Sequence, residues 1–229
     1  DLNKLFSYGT PQNNTHEWPV YKGRLEFLLG LPWNTQTSGE TDINRVASTL
    51  DEDHYGLKHP KERICDGIAP KILNPEGKGQ ILCFVGPSGV GKTSLAKSIA
   101  RALGRKLVKM SVGGAKDEAM IRGHLIAYRA SQPGEIVKLI RRCGAKDPVF
   151  VIDEIDKVGK HPVAGDPSSA LLEVLDSEQN SSFRDHYLNC GFDLSKVMFI
   201  CTANLADEIQ PALKDRMDII RLPGYLPTE

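Results

Sequence analysis

The chain has no surplus of charge: 29 Lys and Arg stand against 29 Asp and Glu over 229 residues. A dedicated nucleic-acid binder carries a basic excess, so zero net charge counts against that class and leaves only a local basic patch open. Cysteine is sparse. The five residues Cys65, Cys83, Cys143, Cys190 and Cys201 come no closer than eleven positions, so there is no C-x-x-C and no zinc spacing. Cys83 and Cys201 sit inside apolar runs and read as small buried hydrophobes. An odd number of scattered cysteines fits a reducing compartment. The six histidines form no cluster, which leaves no transition-metal site to propose. No apolar stretch approaches the ~20 residues that span a bilayer, and no secretory signal stands at the start, so no membrane partner is expected. Internal repeats and low-complexity tracts are absent as well. The chain begins without Met and stops at Leu226-Pro227-Thr228-Glu229, so it is expected to be a piece of a longer protein.

The length suits one sizeable α/β core with an appendage. Residues 1–17 are polar and irregular. From Val20 to Gly30, Val20, Leu25, Leu28 and Leu29 follow a helical pattern that Leu31-Pro32-Trp33 ends, and 35–40 is a polar linker. Ile43, Val46 and Leu50 lie on one face of a second helix with Asp42 near its start. A third helix runs from about Pro60, which suits a first turn, to Ala69. From Gln80 onward short apolar runs alternate with helical patterns. Strands are expected at 81–85, 106–112, 148–153, 197–202 and 218–222, with helices at 92–103, 134–143, 168–176 and 209–215. Val149–Ile152 and Val197–Ile200 are continuously apolar, as parallel strands buried on both faces should be. The alternation implies an α/β fold with a mainly parallel, five-stranded sheet covered by helices on both faces.

Three polar groups end three of these strands. The first is Gly86-Pro87-Ser88-Gly89-Val90-Gly91-Lys92-Thr93, followed by Ser94, between a strand and a helix. This G-x-x-x-x-G-K-[ST] pattern lets backbone N–H groups approach phosphates at a helix N-terminus. Lys92 suits the β/γ-phosphates and Thr93 suits Mg²⁺. The second group is Asp153-Glu154 after Pro148–Ile152: Asp153 is placed to hold Mg²⁺ and Glu154 to polarise an attacking water. The third is Asn204 after Phe199–Ala203, where nucleotides bind outside the carboxyl ends of strands. There Asn204 is placed to hydrogen-bond the γ-phosphate or the attacking water; the weaker alternative from spacing alone is that it serves a turn or helix cap.

In this order the motifs resemble an AAA+ P-loop ATPase. Finer matches resemble the ATPase module of the Lon family of ATP-dependent serine proteases. They are Leu50–Leu57, Ile121-Arg122-Gly123-His124, Gly165-Asp166-Pro167, Ala170–Asp176, Asp185-His186-Tyr187-Leu188, Pro211-Ala212-Leu213 and Asp215-Arg216-Met217, and they span roughly residues 18–226. The resemblance implies that Tyr55 and Gly56 line an adenine pocket and that Asn204 is a sensor. It also implies that Arg216 is an arginine finger for a neighbouring subunit, and hence a homo-hexameric ring. Without the family, Arg216 would read as a solvated cation at a helix end. Tyr128 matches the pore-loop aromatic that grips unfolded or damaged protein substrates, although alone it would read as a packing residue. Residues 1–40 would be a helical linker from an N-terminal domain and 41–223 the large α/β subdomain. Residues 224–229 would begin a small helical subdomain.

The chain departs from the family pattern at Arg129, where an aliphatic residue usually follows the tyrosine. Leu125-Ile126-Ala127 replaces a more basic stretch, and Ser88 and Ser177 stand where proline is usual. The family's Ser–Lys proteolytic dyad lies in a separate C-terminal domain, and the S-x-x-K spacing at Ser94–Lys97 belongs to the first turn after the phosphate loop. The small subdomain normally supplies a second arginine to the nucleotide, so these 229 residues alone are expected to hydrolyse ATP weakly. Family members occur in bacterial cytoplasm, mitochondrial matrix and peroxisomes. Two other readings stay open: an AAA+ motor acting on nucleic acid, with DNA as a partner that charge does not indicate, and a nucleotide-dependent ring-assembly module without turnover.

Overall fold

The computed structural model describes residues 18–37, 42–74, 77, 79–115, 117–125, 131–159 and 165–224. The chain divides into two compact units at Leu31/Pro32. In the first, helix α1 (Trp18–Leu29) is closed by Gly30 N donating to Glu26 O at 3.1 Å. An exposed Lys22–Glu26 pair at 3.8 Å lies along it; such i,i+4 pairs contribute only ~0.2–0.5 kcal/mol.

The second unit opens with two helices. α2 (Ile43–Asp53) is N-capped by Asp42, whose carboxylate accepts from Asn44 N at 2.9 Å, and it buries Val46 and Leu50. α3 (Lys58–Leu73) carries Pro60 in its first turn, where the missing N–H costs nothing. Both pack with α4 (Lys92–Ala102), which follows β1 (Ile81–Val85), into one apolar layer. The chain continues through β2 (Leu107–Ser111), the short helix α5 (Ala119–Arg122), α6 (Glu135–Cys143), β3 (Val149–Asp153) and α7 (Pro167–Val174). A hairpin of β4 (Phe183–Asp185) and β5 (Cys190–Phe192) precedes β6 (Met198–Ala203), α8 (Pro211–Lys214) and β7 (Met217–Arg221).

The five long strands form one parallel sheet in the order β2-β3-β6-β1-β7. The strand pattern read from the sequence holds for all five. The interior strands β1, β3 and β6 are almost wholly buried, whereas β2 and β7 at the edges are partly exposed. Successive side chains alternate between faces. Leu82, Phe84, Val149, Val151, Ile200 and Ile220 meet α2, α3 and α4 on one face. Cys83, Phe150, Ile152, Phe199 and Cys201 point to the other face and are also buried. There Phe150 and Phe199, paired in register, stack at 5.6 Å. Burial pushes the Cys83 thiol up to about 12 and the Cys201 thiol well above its ordinary value, as expected of inert packing residues.

The hairpin and α5 have no counterpart in the sequence reading. Strands of three residues and a helix of four are too short to show a period. What fixes the hairpin is Asp185, 1% exposed. One carboxylate oxygen accepts from Tyr187 N at 2.9 Å and Leu188 N at 3.0 Å; the other accepts from Gly134 N at 2.7 Å at the start of α6. His186 N donates to Arg122 O at 2.7 Å, so the same turn also holds α5. Asp185→Ala would leave three buried N–H groups without a partner, and a loss of about 3 kcal/mol is expected. Asp185→Asn keeps one acceptor oxygen and should lose roughly half as much. The shift of the urea midpoint at constant slope measures both; a shift worth under about 1 kcal/mol for the alanine variant would show that the node does not hold these segments together.

Candidate active site

Strand register brings the three polar strand ends together. Val85 is level with Ala203, Ile152 with Cys201 and Ser111 with Asp153. A groove of about 380 Å³ opens where β1, β3 and β6 stop. One wall is the phosphate-loop pattern, and Ser88, Gly89, Gly91, Lys92, Thr93 and Ser94 all reach the groove. Gly86 N donates to Ala203 O at 3.2 Å, so the loop leaves β1 still paired to β6. Gly89 (φ +87°) and Gly91 (φ +92°) take left-handed backbone that side chains rarely adopt. Val90 is buried in the core and anchors the loop from below. Pro87 contributes its carbonyl.

Lys92 Nζ donates to the carbonyls of Gly86 and Pro87 (2.9 Å to the latter) and to Asn204 Oδ1 at 2.9 Å. Burial pulls this ammonium below the ordinary lysine range, opposed by Asp153 and Asp156. The opposite wall carries Asp153 and Glu154 from the end of β3. Asp153 Oδ2 pairs with Lys109 of β2 at 2.7 Å, and its Oδ1 accepts from the Thr202 hydroxyl. Burial raises the Asp153 pKa, but these two donors and Lys92 outweigh it and hold the carboxyl below the usual carboxylate range. Glu154 sits in left-handed backbone at φ +62°. Its carboxylate pairs with Lys157 and accepts from Ser111 Oγ at 3.3 Å. Gly113 faces it so closely that a Cβ there would lie 2.3 Å from Glu154 Oε2. Asn204 closes the groove at the end of β6, its N–H donating to Asp156 Oδ2 at 3.0 Å.

The structure therefore brings together Ser88, Gly89, Gly91, Lys92, Thr93, Ser94, Asp153, Glu154 and Asn204. Tyr55 and Gly56 do not line this groove; they form a corner after α2, which packs on α4. Arg216 lies at the other end of the strands, because the next residue, Met217, is level with Ile81 at the start of β1. There its guanidinium donates to Ala212 O at 2.9 Å and pairs with Asp176 at 3.3 Å. Tyr128 and Arg129 lie outside the described residues.

Thr202, Lys109, Ser111, Lys157 and Asp156 escaped the sequence reading. Thr202 could have been found as the hydroxyl two positions before Asn204 in an otherwise apolar strand. Lys109 and Ser111 could not, since their role depends on the pairing of β2 with β3. Asp153 and Thr93 offer oxygen donors of the kind a hard divalent cation takes. Among the described residues no group of three or more His, Cys, Asp or Glu could hold a metal.

A parallel sheet with a glycine-rich loop after its first strand and an acidic pair after its third defines a P-loop ATPase module. The model of the ATPase family associated with various cellular activities (AAA) matches residues 82–225, and the chain belongs to that family. Within it the similarity is to Lon proteases. The chain is 55% identical over 212 residues to the Lon protease of Desulfosudis oleivorans, covering 93% of this chain and 26% of that protein. It is 56% identical over 213 residues to that of Syntrophus aciditrophicus, covering 93% and 27%. With Lon protease 1 of Myxococcus xanthus the identity is 52% over 213 residues, covering 93% and 26%. The chain thus spans about a quarter of the length of the curated relatives it matches. No helix among the described residues is long and apolar enough to cross a membrane.

Thr202→Val keeps the shape of the β6 end and removes the hydroxyl that donates to Asp153. The Asp153 carboxyl is then expected to titrate at higher pH than in the parent chain, followed by carboxyl-carbon NMR. An unchanged midpoint would mean that Lys109 and Lys92 set it without the hydroxyl.

Proposed function

We propose that this chain is the ATP-hydrolysing core of a Lon-type, ATP-dependent protease, driving protein substrates toward a proteolytic chamber carried elsewhere. The observation that carries the reading is the convergence of Lys92, Thr93, Asp153, Glu154 and Asn204 on one groove at the carboxyl ends of three neighbouring strands. Backbone N–H groups of the glycine loop and the N-terminus of α4 receive the polyphosphate. Lys92, already pointed into the groove by its three oxygen partners, exchanges them for phosphate oxygens. Thr93 and Asp153 are the residues that would hold Mg²⁺, which when bound supplies a Lewis-acid centre on the phosphates. Ser111 and Lys157 fix the Glu154 carboxylate from two sides, so it can orient a water and take its proton. Asn204 Oδ1 stands beside Lys92, where it can report on the γ-phosphate end.

Arg216 serves a neighbour in this reading. The five residues of β1 separate it from its own groove by roughly 15 Å at ~3.3 Å per residue, beyond the reach of one side chain. A finger acting on an adjacent copy implies a ring, which we take as a homo-hexamer, with Tyr128 and Arg129 gripping unfolded polypeptide in its pore. Residues 1–40 act as a helical linker, and 224–229 lead into a small helical subdomain. The five cysteines form no disulfide, which fits a reducing compartment.

Glu154→Gln preserves size, keeps one of the two acceptor oxygens and removes the base. ATP affinity in the presence of Mg²⁺ is expected to stay within about twofold, while hydrolysis falls by ~10²–10⁴. Phosphate release in single-turnover assays measures this, and undiminished hydrolysis would refute the assigned role. In the same assay, stimulation of the parent by DNA and not by unfolded protein would favour a nucleic-acid motor instead.

A further inference from the structure

The corner after α2 is built in an unusual way. His54, the C-cap of α2, is 8% exposed, while its neighbour Tyr55 is 81% exposed. Gly56 and Leu57 follow with φ of +63° and +53°, and Leu57 begins α3. An exposed aromatic followed by two successive left-handed residues holds its position only if the residues beneath are fixed.

They are fixed by a chain of hydrogen bonds to α4, the helix that opens with Lys92 and Thr93. Arg101 donates to Asp53 Oδ1 at 2.8 Å. Ser98 Oγ, on a residue 4% exposed, lies 2.5 Å from Asp53 Oδ2, 3.2 Å from Ser94 O and 3.0 Å from His54 Nε2. A hydroxyl has one proton. It goes to the nearer, charged acceptor, Asp53, which leaves the Ser98 oxygen to accept from Nε2–H of His54. That assigns the tautomer of His54. From the other side Lys61 Nζ donates to His54 O at 2.6 Å and pairs with Asp51 at 2.8 Å. Burial lowers the His54 pKa, opposed by Asp53 and assisted by Lys61, in keeping with a neutral ring. The trio is not a nucleophile relay, because the carboxylate touches the serine and not the histidine, and the serine is buried.

We propose that Ser98 and His54 are a positioning pair that locks the Tyr55–Gly56 corner onto α4 and so sets how tightly the protein holds the base end of its nucleotide. The pair touches no ligand. It fixes the distance between a base contact on one element and the phosphate-binding start of another. The inference rests on the reading of Tyr55 and Gly56 as the adenine side, and its test separates the two.

Calorimetric titration of this chain with ATP and with inorganic tripolyphosphate provides the readout. Tyr55→Ala is expected to weaken ATP and spare tripolyphosphate. Ser98→Ala should do the same, weakening ATP by about five- to twentyfold, the loss of one to two buried hydrogen bonds, with tripolyphosphate within about twofold. Ser98→Thr, which restores a hydroxyl, should recover most of the ATP affinity. If Tyr55→Ala has no effect on ATP, the adenine-side reading fails and the proposal with it. If Tyr55→Ala weakens ATP but Ser98→Ala does not, the positioning role alone is overturned. Equal weakening of both ligands by Ser98→Ala would also overturn it, since the pair would then act through the phosphate loop. Should Ser98→Ala not fold, His54→Phe keeps a ring and removes Nε2–H, and the same pattern is expected of it.

Discussion

The placement of β6 between β1 and β3 is the constraint on which the rest depends. The chain makes three strands of this sheet before β6 and leaves a place for it between its first and its third. Only that insertion sets the end of β1, with its glycine loop, two strands from the acidic end of β3. The register then does the fine work. With Val85 level with Ala203 and Cys201 level with Ile152, the strand ends form one ledge. A slip of one residue would turn every side chain of β6 to the opposite face. Thr202 would leave Asp153, and Phe199 would leave Phe150. The fully apolar interior strands are thus the means by which polar groups far apart in sequence arrive at a common level.

The ledge is also electrostatically matched before any ligand is considered. Lys92, Lys109 and Lys157 stand among Asp153, Glu154 and Asp156, and each carboxylate has a donor from a different element. A cluster of acids this tight would otherwise raise its own pKa values through mutual repulsion. The lysines and Thr202 prevent that at Asp153, which stays ionised and able to meet a cation. The same contacts hold side chains in place that would otherwise lose rotamer freedom on binding.

What could be read from the sequence is what is contiguous along it. Gly86–Thr93 needs only its own residues and the helix that follows, and Asp153-Glu154 announces itself by ending an apolar run. The sheet was legible because buried parallel strands are apolar on both faces. Lys109, Ser111 and Thr202 were not, because their meaning comes from which strands are neighbours, and no local pattern carries that. Asp185 was visible as a motif residue. Its three backbone partners, two nearby and one at Gly134, explain why an aspartate stands there, and the most distant of them needed the fold. Arg216 shows the reverse case: resemblance implied a role, while the register of β7 on β1 shows only that the residue lies away from its own groove.

Glu154 carries a consequence for how such a module can change. Its left-handed backbone costs the folded chain on the order of 1 kcal/mol, and Gly113 must stay bare to give its carboxylate room. Replacing Glu154 by glycine or asparagine would relax that backbone, since both adopt it readily. A screen that rewards thermal tolerance alone would therefore tend to accumulate changes at this position. Survivors of such a screen would be sturdier proteins that had lost the carboxylate, so durability and chemistry would have to be selected together.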